Sequence, residues 1–228
     1  MSASPRRIAC LAMSADGLIA DRHGQLGWLE KFGAADDFGF ADFLMGIDAL
    51  AMGRRTFDQI TAFGGAWPYG ARPTLVLTHR PLPPNAPASA RAASDEEITQ
   101  AMLGAPGRIW IVGGADMLAF CLRRGLVDEL QLFAVPILLG EGAPLTGRLH
   151  KSIPLTLTRT EALAHGVVKL IYAAEAAPLP AAEPEIQPLS TAHEEGLTAA
   201  VAEGDPEPVI DPAAAWPYPP EANAEKDA

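Results

Sequence analysis

Ile109-Trp110-Ile111-Val112-Gly113-Gly114-Ala115-Asp116-Met117-Leu118 is the stretch that decides the fold class. Its four leading apolar residues predict a strand buried on both faces, because a half-exposed strand would alternate apolar with polar side chains. Gly113 and Gly114 follow, and backbone without a Cβ can take unusual dihedral angles and approach a ligand closely. The spacing beyond them predicts a helix whose first N–H groups lack intrahelical acceptors and so suit an anion. A single Gly-Gly also fits an ordinary strand-to-helix turn. The neighbouring stretches decide between the two.

Upstream, Ala49-Leu-Ala-Met52 reads as a second buried strand that ends at Gly53, with Arg54-Arg55-Thr56-Phe57 opening a helix. Thr74-Leu-Val-Leu-Thr78 is a third strand, and it runs into His79-Arg80. The first strand is Ile8–Met13, closed by the turn Ser14-Ala15-Asp16-Gly17, with a short extended piece at Leu18-Ile19-Ala20. Asp36 and Asp37 suit the start of a helix carrying Phe38, Phe40, Phe43 and Leu44. The proline-rich 81–87 segment cannot be helical. Ser94 with Glu97 forms a capping-box pattern for a helix ending near Gly104.

Downstream, the helix after the glycine pair continues to Arg124, with Gly125 as its C-terminal glycine. Glu129–Val135 reads as a strand, and Pro136–Gly142 as a loop. Leu155–Thr160 and Val167–Tyr172 have the spacing of an antiparallel hairpin. Repeated strand, helix, strand order predicts an α/β fold with a mainly parallel central sheet, helices on both faces and a C-terminal antiparallel hairpin.

Composition divides the 228 residues at about position 175. Residues 176–228 hold 11 Asp/Glu against one Lys/Arg, with 10 of the 21 prolines, whereas residues 1–175 hold 17 acids and 16 bases. The first part is expected to fold as one domain. The second cannot bury enough apolar surface to offset its ordering entropy, so a disordered acidic Pro/Ala-rich tail is expected, with Ala215-Trp216-Pro-Tyr218 its one local feature. The near-neutral domain carries no basic surface for nucleic acid. Cys10 and Cys121 lie in apolar runs without metal-ligand or CxxC spacing, which predicts buried free thiols and no metal. No run approaches the roughly 18 apolar residues of a membrane span, and the N-terminal apolar run is too short for a signal sequence, so a cytoplasmic protein is expected.

Three strand ends are candidate ligand contacts: Gly53-Arg54-Arg55-Thr56, Thr78-His79-Arg80 and Gly113-Gly114. In an open parallel sheet all of them fall on one edge, where ligands bind. Two begin helices, and the guanidinium groups match phosphate geometry, which points to a dinucleotide. Both GxGxxG and GxxxxGK[ST] are absent.

Five blocks taken in order resemble the dihydrofolate-reductase-like superfamily, in the branch containing the reductase domain of riboflavin biosynthesis. They are Met13–Ala20, Asp48–Phe57, Thr74–Arg80, Ile109–Leu118 and Gly125–Gly142. The resemblance covers about residues 7–174 and implies that family's three-layer fold. It also implies NADPH as cofactor, with Gly53, Arg54, Arg55 and Thr56 at the phosphates. Thr78, His79 and Arg80 would meet the adenosine 2′-phosphate, and Gly113–Gly114, often a cis peptide in the family, would lie against the pyrophosphate. A homodimer is expected on the same grounds.

On the substrate side, Asp16 is the candidate for substrate binding or proton supply, with Ser14 as a substrate-binding neighbour and Trp28 as a wall for a substrate ring. Asp36 or Asp37 is a candidate for the helix carboxylate of folate-reducing members. Leu18 and Val112 stand where riboflavin-pathway reductases usually carry Lys and Glu. The expected function is therefore NADPH-dependent reduction of a small heterocycle, pterin- or pyrimidine-like. The alternatives are the aminopyrimidine reductase step of riboflavin synthesis and a non-catalytic nucleotide-binding module whose tail engages a partner.

Overall fold

The computed structural model describes residues 6–33 and 37–174. Asp36 and the segment 176–228, with Trp216 and Tyr218, lie outside the described residues.

The chain begins with β1 (Arg7–Ser14) and β2 (Leu18–Asp21), then a 3-10 turn at Gly27–Leu29, α1 (Glu30–Gly33) and α2 (Phe40–Met45). Next come β3 (Ala49–Gly53), α3 (Arg54–Ala62), β4 (Thr74–Leu77), β5 (Ala90–Ala93) and α4 (Asp95–Gly104). The stretch quoted first forms β6 (Ile109–Gly113) and α5 (Ala115–Arg123). β7 (Glu129–Val135), β8 (Gly142–Pro144), β9 (Leu155–Ala162) and β10 (Val168–Ala174) complete the domain.

Eight strands form one sheet in the order β5-β4-β3-β6-β1-β7-β10-β9, and β2 pairs with β8 in a separate ribbon. The first six strands of that order run parallel, and β10 and β9 are antiparallel, as the hairpin spacing predicts. All five residues of β6 are buried. Its side chains alternate between two cores. Trp110 and Val112 join Ile8, Cys10, Leu50, Met52, Phe57 and Phe133 on the face covered by α2 and α3. Ile109 and Ile111 join Leu11, Ala51, Leu130 and the apolar residues of α4 and α5 on the other.

Trp110 anchors the first core. It is fully buried, donates its indole N–H to the Cys10 carbonyl at 3.2 Å, and stands edge-on to Phe40, Phe43 and Tyr69 at 5.3–5.6 Å. On the other face α5 ends in a Schellman motif. Gly125 takes φ +62°, Leu126 N–H donates to the Cys121 carbonyl at 2.8 Å, and Gly125 N–H donates to Leu122 at 3.2 Å. The capping box at Ser94 and Glu97 is complete. Both cysteines are free and buried, and burial pushes their thiols up to about 12, so neither is a nucleophile at neutral pH.

Two expectations need correction, and one strand, β5, is an element the sequence did not announce. The helix over 36–44 starts later, at Phe40, because Gly39 takes a left-handed conformation (φ +77°) and interrupts it. Asp37 still caps it, accepting from Gly39 and Ala41 N–H at 2.9 Å each. Strand β5 follows the proline-rich segment, although Ala90-Arg-Ala-Ala has no apolar run; pairing with β4 makes it a strand. Within the loop read over 136–142 and just beyond it, Gly142–Pro144 pairs with β2 as β8.

Candidate functional site

The sheet itself opens the site. β1 pairs with β6 only from Arg7–Ile109 to Ala9–Ile111, and beyond that the two strands part toward their carboxyl ends. On its other side β6 shifts register against β3 between Ala51 and Met52, so Val112 is the residue without a partner on β3. Between the parted strands lies a cleft of about 490 Å³ with Cys10, Leu11, Ala12 and Val112 among its lining. Open parallel sheets place ligands at the carboxyl ends of their strands in this way.

Two helices begin at the same cleft. α3 starts from Gly53 and α5 from Gly114, each nine residues long, and neither has a side chain capping its first turn. The contrast with α4, which carries its own capping box, is chemical: a glycine start leaves the first N–H groups open to an outside acceptor. In α5 the first i to i−4 bond is from Leu118 to Gly114, so the amides of residues 115–117 have no acceptor within the helix. Thr56 sits in the first turn of α3 and faces the glycine pair. A Cβ on Gly114 would lie 3.3 Å from Thr56 Oγ1, so the absence of a side chain keeps this passage open. The peptide Gly113–Gly114 is cis, with Gly113 at φ +118°.

Three guanidinium groups border the cleft, in different states. Arg54 is largely buried and committed: its Nε donates to both Asp58 oxygens at 2.7 and 2.9 Å, and its Nη1 donates to the Pro81 carbonyl at 2.9 Å. Arg55 is exposed and reaches across to Asp116 at 3.2 Å. Arg80 is exposed, and its guanidinium makes no ion pair among the described residues. An entering phosphate would thus meet two helix N-termini and a positive rim, and the residues present fit the pyrophosphate of a dinucleotide.

The remaining wall is the β2–β8 ribbon, which contributes Ile19, Ala20 and Ala143. Asp16 holds this ribbon's loops together. Its carboxylate accepts from Ser14 Oγ at 2.5 Å, Gly140 N–H at 2.7 Å and Leu139 N–H at 3.2 Å, while Ser14 Oγ accepts from Leu18 N–H at 3.0 Å. The Ser14 hydroxyl, followed by the two amides, lowers the Asp16 carboxyl to about 2. A carboxyl that is ionised and already satisfied is a poor proton source near neutrality.

The cleft thus brings together Gly53, Arg54, Arg55, Thr56, Arg80 and Gly114. Ser14, Asp16, Trp28, Thr78, His79 and Gly113 do not line it. Thr78 Oγ1 accepts from Arg80 N–H at 3.1 Å and shapes the turn that carries Arg80. Trp28 packs against the Trp110 core, and its buried indole N–H meets no acceptor among the described residues. Sequence reasoning did not single out Gln59, which donates to the Gly24 carbonyl at 3.0 Å across the cleft margin, or Asp116. Asp116 had one available signal: its place in the first turn after the glycine pair.

The parallel sheet with its antiparallel hairpin, and the cleft opened between β1 and β6, define a dihydrofolate-reductase-like domain. Within that class the chain belongs to the RibD C-terminal domain family, whose model matches residues 67–169. It is 30% identical over 182 residues to the uncharacterized protein YyaP of Bacillus subtilis, a match covering 73% of this chain and 94% of that one. A crystal structure from Shewanella sp. PV-4, provisionally assigned to riboflavin biosynthesis, is 29% identical with a TM-score of 0.67, over 75% of this chain and 99% of that one. A Thermotoga maritima diaminohydroxyphosphoribosylaminopyrimidine deaminase/5-amino-6-(5-phosphoribosylamino)uracil reductase shares the fold at 15% identity and a TM-score of 0.52, over 75% of this chain and 56% of that one. The domain is riboflavin-reductase-like. No helix among the described residues is long and apolar enough to cross a membrane.

Proposed function

We propose that the protein is an NADPH-dependent reductase that reduces a small heterocyclic substrate, pterin- or pyrimidine-like, by hydride transfer. The observation that carries this reading is the meeting of two glycine-started helices, α3 and α5, with Arg54, Arg55 and Arg80 around a cleft of apolar floor. The nicotinamide would supply the hydride. The chain's own part is to hold the phosphates at the amides of residues 54–56 and 115–117 and the adenosine end at Arg80. Leu11, Val112 and Ile19 would exclude water from the reacting rings. Cationic groups at the strand ends, in place of the ribose-binding acid of NAD-selective Rossmann folds, favour the phosphorylated cofactor.

The cleft's apolar lining bears on the substrate. Val112 is 9% exposed within it, and Leu18 stands at the start of the ribbon where its N–H is engaged by Ser14. Neither side chain can bind a ribityl phosphate. This favours a less polar heterocycle over the intermediate named for the Thermotoga enzyme. With Asp16 tied into a loop, its three hydrogen bonds favour proton delivery from solvent or substrate, and they also sustain the reading of a nucleotide-binding module without turnover.

Fluorescence titration with NADPH and NADH, followed by turnover screens over dihydropterins and aminopyrimidines, tests the proposal. The expected result is preferential NADPH binding and its oxidation by one substrate class. Tight binding with no oxidation across both panels would identify a module, and absence of NADPH binding would refute both readings.

A further inference from the structure

Arg55 and Asp116 occupy equivalent places, each the second residue of a helix that starts from a glycine at the cleft. They meet at 3.2 Å with side chains 94% and 79% exposed, so the pair spans the space between the two helix N-termini. Asp116 is further confined by the 144–149 loop. Gly147 N–H donates to the Ala115 carbonyl at 3.0 Å, and a Cβ on Gly147 would come within 2.7 Å of Asp116 Oδ1. The carboxylate is therefore backed on one side by main chain while it offers Oδ2 to Arg55 on the other.

An acid in the first turn of a helix is ordinarily explained by the helix dipole alone. Here the same turn faces the cleft, and the partner is the one bordering cation that crosses from the opposite helix. Arg54 differs, because its clasp to Asp58 and Pro81 lies within its own side of the cleft. Arg80 differs again, having no partner among the described residues.

We propose that Asp116 acts as an internal competitor for the anionic ligand: its carboxylate occupies Arg55 across the two helix N-termini, and a diphosphate must displace it to bind. The inference rests on the reading of the cleft as a dinucleotide phosphate site and adds a determinant of its affinity. It assigns Arg55 a conditional role, released from Asp116 as the ligand's phosphates enter. The competition makes affinity depend on how much negative charge the ligand delivers at that point, so a diphosphate is admitted in preference to a monoanion. An exposed pair is weak, and the displacement is correspondingly modest, about two- to fivefold in affinity.

The test is a binding cycle by calorimetry on the full chain, with inorganic pyrophosphate and NADPH as separate probes and Tm recorded for each variant. The proteins are wild type, Asp116→Asn, Arg55→Ala and the double variant, with Asp116→Ser as a second replacement should Asn find a new partner. The expected result is that Asp116→Asn tightens both probes about two- to fivefold when Arg55 is present and has little effect in the Arg55→Ala background. Weaker or unchanged binding in Asp116→Asn and Asp116→Ser would overturn the proposal. So would an equal gain with and without Arg55, which would mean simple repulsion through space. Arg80→Ala separates the levels: if it weakens NADPH while Asp116→Asn changes nothing, the competitor is wrong and the site stands. If neither variant nor Arg55→Ala affects NADPH, the site reading itself fails.

Discussion

Arg80→Ala is the substitution that separates a general anion site from one that reads a phosphorylated adenosine. Arg80 is exposed at the turn after β4, borders the cleft, and makes no ion pair among the described residues. Its guanidinium is therefore available at no cost to another contact. A charge-assisted hydrogen bond contributes about 1.5–3 kcal/mol, and solvent exposure puts this one at the lower part of that range. Taking about 1.5–2.5 kcal/mol, loss of Arg80 weakens NADPH about 10- to 70-fold. NADH, which lacks the 2′-phosphate, should change by less than about twofold. Folding stability should move by no more than about 0.5 kcal/mol, as for other exposed side chains without partners. Arg54→Ala is the informative control, because it also removes the clasp to Asp58 and Pro81 and should lower both Tm and the affinity for the two cofactors. Titration of intrinsic fluorescence with NADPH and NADH at fixed salt reads these affinities. Equal losses for both cofactors in Arg80→Ala would refute the assignment of Arg80 to the 2′-phosphate.

Three further outcomes follow from the packing. The Asp16 carboxyl is depressed from 3.8 to about 2 in the folded protein, so its contribution to stability is present above pH 4 and is lost as pH falls through about 2. Asp16→Asn should flatten that part of the acid-unfolding curve and speed hydrogen exchange at residues 18–21 and 139–145; an unchanged curve would contradict the clasp. Asp128 accepts from Arg7 N–H at 2.8 Å and from Arg7 Nε at 3.0 Å, joining the start of β1 to the start of β7. Asp128→Asn should cost about 1–2 kcal/mol, which calorimetry would register as a fall in Tm of about 2–8 °C. Trp110→Phe removes the indole N–H bonded to the Cys10 carbonyl and leaves space among Phe40, Phe43 and Tyr69, for a loss of about 1–3 kcal/mol by denaturant unfolding.

What the sequence made legible follows from how local each signal is. Strand β6 announces itself because a residue run buried on both faces must be apolar throughout, whereas the glycine pair at its end, which alone fits an ordinary turn, becomes informative only beside the other strand ends. The capping box at Ser94 and the C-terminal glycine at 125 are equally local. Strand β5, Ala-Arg-Ala-Ala, and strand β8, Gly-Ala-Pro, carry no such pattern, since each is a strand only by virtue of the partner it meets. The same distinction divides the site. Gly53, Arg54, Arg55, Thr56, Arg80 and Gly114 are legible because strand ends in a parallel sheet share one edge. Asp16 reads from its neighbours as a chemical group on a turn, and only the amides of Leu139 and Gly140, more than 120 positions away, show it to be a clasp. Asp116 escapes notice for the same reason, because its partner Arg55 is 61 positions distant. The parting of β1 from β6 that opens the cleft is a matter of strand register, which no single segment encodes.

In the proposed function, the amides at the starts of α3 and α5 receive the phosphates of a dinucleotide. Hydrogen–deuterium exchange with and without saturating NADPH tests it at those amides. Residues 54–56 and 115–117 should both become slower to exchange, while the edge strand β9 stays unchanged. Saturable NADPH binding that leaves the exchange of both segments untouched would contradict the account.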